Sequence, residues 1–340
     1  MKVCLITRYP WSIFWGGAEV QAQYYLEKIC QYENNIEIEF IDYYDKNKKY
    51  DIYHFIGIDY STSAIMKKVK ANGGKVILSP IFYLNSKKER VAKLINNYLP
   101  LLQTNWKLYG AAMKSADIIL PNSHAEMEQI INIWSLEKNK FKIIPNGYDE
   151  TIFNQVVNIN KELINLEKYI LCVSMIDERK NILQLMKNFN KIRNKVNFSL
   201  VLIGDIRSSD IKFKLEIETQ ISDSDGRIIF LGKIENKDVL AQWYTGALAH
   251  ILPSVLETPG LSSLEAMACG TPIVVGDCLP VREYFGKYAN YIDGNTETQI
   301  IEVLLDINNN KLIKPNAEYI EKFSWLEIGK KLSKVYYEIY

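Results

Sequence analysis

Short apolar runs of strand length alternate with helical runs along this chain, and the alternation starts over near its middle. The first series of strand candidates is 2–7, 36–41, 52–56, 76–78, 118–120 and 142–144. The second is 169–174, 198–203, 227–231, 248–252 and 272–275. Strands rich in Val, Leu and Ile with helices between them predict mostly parallel sheets covered on both faces. Pro145-Asn146-Gly147 is a turn signal between the two series, and the sequence after about Thr151 turns polar and Asn-rich before the pattern restarts. A chain of 340 residues exceeds one ordinary α/β domain and suits two. The expected domains are 1–150 and 151–322, followed by a terminal amphipathic helix over 323–340. Leu326, Ile328, Leu332, Val335, Tyr336 and Ile339 supply the apolar face of that helix.

Charge and cysteine content narrow the function classes. A net charge of +1 gives no reason to expect nucleic acid as a partner. Cys4, Cys30, Cys172, Cys269 and Cys278 are odd in number and sit mostly in apolar runs, so they read as buried reduced thiols of a cytoplasmic protein. No C-x-x-C pair and no ligand-spaced histidines predict a metal site. The apolar start at 2–7 is too short for a secretory signal, and no run of 18 apolar residues is present to span a bilayer.

The stretch 252–275, LPSVLETPGLSSLEAMACGTPIVV, carries the most chemistry. A strand ends near Pro253-Ser254, a loop holds Glu257 and Gly260, and a helix is expected from near Ser262 to Gly270. The start of that helix points unpaired N–H groups outward and makes an anion site. Glu257 and Glu265 flank it, placed to accept hydrogen bonds from hydroxyls while the N–H groups face a diphosphate. Ser262-x-x-Glu265 is also a capping box, in which Glu265 would serve only the helix start.

This stretch resembles the E-x7-E segment of the retaining glycosyltransferases of family 4. The family pattern runs P-S, E-G-F-G-L, L-E-A-M-A-C-G-x-P-V-V. Glu257, Gly260, Leu261, Glu265, Ala266, Met267, Ala268, Cys269, Gly270, Pro272 and Val274 match it, whereas Thr258 and Pro259 replace the usual Gly and aromatic. Gly16-Gly17-Ala18-Glu19, Ile144-Pro145-Asn146-Gly147, the run 174–181 (SMIDERKN), Phe230-Leu231-Gly232 and Phe323-Ser324-Trp325 resemble further family motifs in the family's order. The resemblance implies the GT-B fold: α/β, two Rossmann-like domains with parallel sheets facing a central cleft. The first would bind acceptor, the second the nucleotide sugar, and the terminal helix would pack back towards the first.

The resemblance also implies roles. Glu265 would bond the ribose hydroxyls and Glu257 the transferred sugar. Arg179 and Lys180 would neutralise the diphosphate, with Gly260 and Leu261 adding backbone donors. Gly16 and Gly17 would approach the donor from the other domain, and backbone near Gly232 and Ile234 would hold the base. The implied activity is a retaining hexosyltransferase using a UDP- or GDP-sugar, in polysaccharide biosynthesis, with a glycan or lipid-linked acceptor. It would use no metal and no cofactor, because two fixed cations do for the departing diphosphate what a divalent ion does elsewhere. Alternatives are a non-catalytic subunit on the same fold, or a sugar-nucleotide epimerase. Asp223-Ser224-Asp225 has the D-x-D form of a metal motif but precedes Gly226 and a strand, and reads as a polar turn. Where many relatives carry a histidine, this chain has Ser79-Pro80-Ile81-Phe82. His124 is a weaker acceptor-side candidate, and His54 reads as a packed residue.

One charge asymmetry stands apart. From Met66 to Lys114 there are ten basic residues and one acid, Glu89. Val91, Leu94, Ile95, Tyr98 and Leu99 fall on one side of a helix there, beside Arg90 and Lys93, with Phe82, Tyr83, Trp106 and Tyr109 nearby. A basic amphipathic segment with aromatics suits peripheral contact with an anionic inner membrane leaflet. The same stripe could instead pack on the domain's own sheet.

Overall fold

A computed structural model describes residues 1–8, 16–45, 47–98, 104–154 and 166–340. The chain divides into two compact units, Met1–Gly147 with Trp325–Tyr340, and Tyr148–Ser324. These bounds differ from 150 and 322 for a local reason. Tyr148 N–H bonds the Phe323 carbonyl at 2.9 Å, and Tyr148 bridges Ser324, so both segments enter the second unit together.

In chain order the first unit runs β1 (Lys2–Thr7), α1 (Gly17–Tyr32), β2 (Glu37–Phe40), β3 (Ile52–Ile56), α2 (Thr62–Ala71), β4 (Lys75–Ser79), α3 (Ser86–Tyr98), α4 (Asn105–Ser115), β5 (Ile118–Ile119) and α5 (His124–Trp134). The second runs β6 (Tyr169–Val173), α6 (Ile182–Ile192), β7 (Ser199–Ile203), α7 (Ile211–Ser222), β8 (Ile228–Phe230), α8 (Lys237–Gly246), β9 (His250–Leu252), α9 (Leu261–Ala268), β10 (Ile273–Gly276), α10 (Leu279–Phe285), β11 (Asn290–Ile292), α11 (Glu297–Asn308) and α12 (Ala317–Glu321). The last helix, α13 (Trp325–Ile339), returns to the first unit.

Each unit has one parallel sheet, ordered β2-β1-β3-β4-β5 and β11-β10-β9-β6-β7-β8. Side chains of β6 and β7 alternate between two cores, as strand geometry requires. Ile170, Cys172, Leu200 and Leu202 join the core under α6, α7 and α11. Tyr169, Leu171, Val201 and Ile203 join the one under α8, α9 and α10. In the first unit Trp325 of α13 stacks on Tyr24 of α1 at 5.0 Å, and Tyr32 Oη meets Ser333 Oγ at 2.8 Å. Both sheets reverse their strand order once, between β1 and β3 and between β6 and β9. Ligand crevices of open α/β sheets form beyond the carboxyl ends of strands at such points.

Several expectations change. Residues 142–144 form no strand; Phe141 alone bridges Ile119, and the segment runs into Pro145, which has no N–H for a ladder. Cys30 is exposed and Cys278 half-buried, so only Cys4, Cys172 and Cys269 are buried thiols. Most of the stripe on α3 is left uncovered, with Ile95 half-buried. Val91, Leu94 and Tyr98 are exposed, and it is Ala92 that is buried. Leu99 lies outside the described residues. Phe82, Trp106 and Tyr109 instead pack edge-on against one another, with Phe82 buried in the core.

Candidate functional site

At the strand-order reversal of the second unit, the loops after β6 and β9 lie side by side. The loop after β6 is built by Asp177, a buried residue that caps the turn Glu178–Lys180. Its Oδ1 accepts from the N–H groups of Arg179 (2.9 Å) and Lys180 (3.2 Å), and its Oδ2 from the Arg179 guanidinium at 2.7 Å. Asn181 follows at φ 58 and donates its amide to the carbonyls of Gly294 and Pro253, fastening this loop to its neighbours. Gly276 at the end of β10 lies against the Ser254 carbonyl so closely that a Cβ there would collide with it.

This scaffold brings Lys180 and Glu257 into a direct ion pair. Their side chains are only 18% and 16% exposed, so the pair is weakly screened, whereas the Arg179 side chain is 75% exposed. Gly260, at φ 89, caps α9, and the backbone there takes a form that favours glycine. Its carbonyl accepts from Ser263 and Leu264, leaving the first-turn N–H groups of Leu261 and Ser262 without intrahelical partners. The hydroxyls of Ser254 and Ser263 are buried beside this helix start without a partner among the described residues.

Glu265 does not close a capping box. The helix starts at Leu261 with Gly260 as its cap, so Ser262 is already helical. The Glu265 carboxylate accepts instead from Tyr244 Oη of α8 at 2.9 Å. Burial pushes its pKa up to about 7; the Tyr244 bond and the Lys237 charge oppose that rise, and Asp149 adds to it. Gly232 sits at φ 69 after β8 with open space about its Cα, and Ile234 packs partly against the core under α8. Asp223-Ser224-Asp225 is the turn that follows α7: Ser224 is buried and bonds Ile221, and Asp225 pairs with Arg193 at 2.8 Å. Among the described residues no group of three or more His, Cys, Asp and Glu is placed to hold a metal.

The first unit places its candidates differently. Gly16 caps α1 and Gly17 opens it, with nothing within 4 Å of an added Cβ on Gly17. His124 is exposed in the first turn of α5. Ser79 is not an open substitute for a histidine: it is buried, with its hydroxyl 2.8 Å from His54 Nε2, while Tyr336 Oη meets His54 Nδ1 at 2.7 Å. Burial holds the His54 pKa down to about 3, so the ring is neutral. Glu126 is buried too, and accepts from the N–H groups of Phe82 (2.6 Å) and Asn122 (2.7 Å).

Asp177 and Asn181 lie in the run 174–181 that the sequence singles out, but their roles, like that of Tyr244, emerge only from the structure. Asp177 carries a local signal, an N-cap residue before a turn. Tyr244 carries none, because its partner lies on another helix.

The family model for glycosyl transferases group 1 matches residues 156–323. An uncharacterized glycosyltransferase of Methanocaldococcus jannaschii is 30% identical over 246 residues, covering 67% of this chain and 61% of that protein. The D-inositol 3-phosphate glycosyltransferase of Mycolicibacterium smegmatis is 25% identical over 224 residues, 62% of this chain and 50% of that protein. The match thus spans about half to three-fifths of these relatives' length. In structure, Anabaena HepE in complex with UDP aligns with a TM-score of 0.75 at 15% identity, over 99% of this chain and 100% of that one. Sucrose-phosphate synthase from Thermosynechococcus elongatus aligns with a TM-score of 0.77 at 17% identity, over 99% and 98%. The fold is therefore GT-B, and residues 156–323, most of the second unit, match the glycosyl transferases group 1 family.

Proposed function

We propose that this chain is a retaining, metal-independent glycosyltransferase that takes a sugar from a UDP- or GDP-sugar bound at the carboxyl edge of the second unit's sheet. The observation that carries this is the convergence of Lys180, Glu257 and the α9 start at the strand-order reversal. Breaking the bond between the sugar and the diphosphate builds negative charge on the leaving group and positive charge on the sugar. Lys180 and the N–H groups of Leu261 and Ser262 stabilise the first, with Arg179 as a more solvated second cation, and Glu257 faces the sugar. The acceptor oxygen bonds the anomeric carbon as the sugar–phosphate bond breaks, and its proton passes to an oxygen of the departing diphosphate. Glu265 takes the ribose, and backbone near Gly232 and Ile234 the base. The uridine nucleotide is favoured by analogy with HepE, which was solved with UDP.

A thermal-shift panel of UDP-, GDP- and ADP-sugars tests the donor class, since a ligand that binds only the folded state raises its stability. Release of nucleotide on adding acceptor, unchanged in EDTA, is the expected activity. Donor turnover that needs Mg²⁺ or Mn²⁺ refutes the metal-free route.

The acceptor belongs to the first unit in this reading, and is glycan or lipid-linked. Exposed Val91, Leu94 and Tyr98 on α3, among exposed Lys87, Lys88, Arg90 and Lys93, form an apolar stripe edged by positive charge. That face suits an anionic membrane surface. No helix among the described residues is long and apolar enough to cross a membrane. Co-sedimentation with anionic but not neutral liposomes, lost at high salt and on changing the four basic residues to Glu, is expected. Equal binding of wild type and variant removes the membrane from this reading.

A further inference from the structure

The Glu265 carboxylate has two oxygens in unequal surroundings. Oε2 accepts from Tyr244 Oη at 2.9 Å, and Oε1 has no protein partner among the described residues. Glu265 is only partly covered, so Oε1 remains within reach of a ligand. Tyr244 itself is fixed at every side. Its ring is fully buried, edge-on to Phe153 at 6.0 Å and to His250 at 5.7 Å. Its carbonyl accepts from Thr271 Oγ1 at 2.6 Å and from the Ala247 N–H at 3.0 Å. A phenol has one proton to donate, and here it is committed to Glu265.

We propose that Tyr244 is the positioning residue of the nucleotide site: its phenol pins one oxygen of the Glu265 carboxylate so that the other is presented to the vicinal hydroxyls of a ribose. This rests on the reading of Glu265 as the ribose acceptor. The physical reason is directional. A glutamate side chain has several rotatable bonds, and an unpinned carboxylate must lose that freedom when the ligand binds. With Oε2 already held by a rigid donor, the orientation is set before binding. The same donor favours the charged form, which accepts the stronger hydrogen bond. The groups facing Glu265 are Tyr244 and Lys237 of α8, Asp149 before the second unit's first strand, and Cys269 after α9; Cys172 and His250 lie against Tyr244. Lys237 favours the carboxylate, Asp149 opposes it, and Tyr244 is the one bonded to it. Burial keeps the Tyr244 phenol protonated, so it remains a donor throughout the range in which Glu265 titrates.

The test compares UDP with 2′-deoxy-UDP, and GDP with 2′-deoxy-GDP, by calorimetry on the full chain. In wild type the deoxy form should bind about 10-fold more weakly, the worth of a hydrogen bond to a charged group. In Tyr244→Phe that penalty should shrink to about 2- to 3-fold, and in Glu265→Gln it should be no larger than in Tyr244→Phe. The pH at which the wild-type penalty is half developed should lie near 7 and move upward in Tyr244→Phe. A Tyr244→Phe protein that binds both forms more weakly by the same factor, with an unmoved pH midpoint, shows Tyr244 to be a packing residue and overturns the inference. A wild type that binds both forms equally refutes the ribose assignment of Glu265, and the inference falls with it. Failure of both pairs to bind at all refutes the nucleotide-sugar reading itself, which separates that failure from one confined to Tyr244.

Discussion

The two sheets each reverse their strand order once, and their carboxyl edges make opposite use of polar residues. In the first unit His54 is locked between Ser79 and Tyr336, and Glu126 is spent on backbone N–H groups. These groups are buried and tied to protein partners. In the second unit Lys180 pairs with Glu257 at the rim, Arg179 reaches solvent from Asp177, and Glu265 keeps an oxygen open. A strand-order reversal marks the place where a ligand crevice can form in both cases. Whether it becomes a tie or a reactive surface depends on how many charges are left with bonding capacity to spare.

The largest effect that would break this contrast is loss of Lys180. Lys180→Ala should lower turnover about 100- to 1,000-fold, read as nucleotide released from donor. It also leaves Glu257 without its cation, so stability should fall as well. Lys180→Ala with Glu257→Ala should recover stability without recovering activity, because the repulsive remnant is removed while the leaving group still lacks its cation. Full activity in Lys180→Ala would reduce the rim to another structural tie.

Glu265→Gln should weaken donor binding about 10- to 100-fold by calorimetry. Its unliganded stability should move the other way. The Glu265 carboxyl, with a pKa raised to about 7, holds its proton more tightly folded than unfolded. Its contribution to stability is therefore complete below pH about 4.5 and lost as pH rises through about 7. Wild type should fall relative to Glu265→Gln across that window in a melting-temperature series. A constant difference would mean the group titrates normally.

His54→Ala should cost about 2–4 kcal/mol of stability in denaturant unfolding, through a cavity and two hydroxyls left unpaired. Donor affinity should not change. His54 and His250 both have pKa values lowered to about 3 by burial. Each contributes stability that is complete above the unfolded value near 6.5 and lost as pH falls from there toward 3. The acid slope should be shallower in His54→Ala by about 1.4 kcal/mol per pH unit at most. A loss of donor binding in this variant would give the first unit's tie a part in the second unit's site.

Arg179→Ala is the smallest change expected, about 2- to 5-fold in turnover, because its charge is already solvated and paired with Asp177. An effect as large as that of Lys180 would mean that ligand binding buries the guanidinium.

Much of this was legible in the residues. The strand series survives except at 142–144, because buried parallel strands need continuous apolar runs whatever surrounds them. Glu257, Arg179 and Lys180 were visible as types of residue in a pattern, although their pairing was not. The capping box fails instructively: Ser262-x-x-Glu265 has the right spacing, but α9 starts at Leu261 with Gly260 as its cap, and a tyrosine 21 positions away takes the carboxylate. The apolar stripe on α3 likewise had the period of a packed face, yet Val91, Leu94 and Tyr98 are exposed. Periodicity shows that a helix has a face, not what covers it.

The sequence by itself determined the two α/β series, the turn between them and the loops that carry charge, since these rest on burial of runs and on local backbone preferences. Tertiary structure decided what those charges do. The Lys180–Glu257 pair joins residues from two loops, and Tyr244 reaches Glu265 from a neighbouring helix. Hydrogen bonds and ion pairs act over a few ångströms, so which distant residues meet is fixed only when the strands have taken their order and the helices their places.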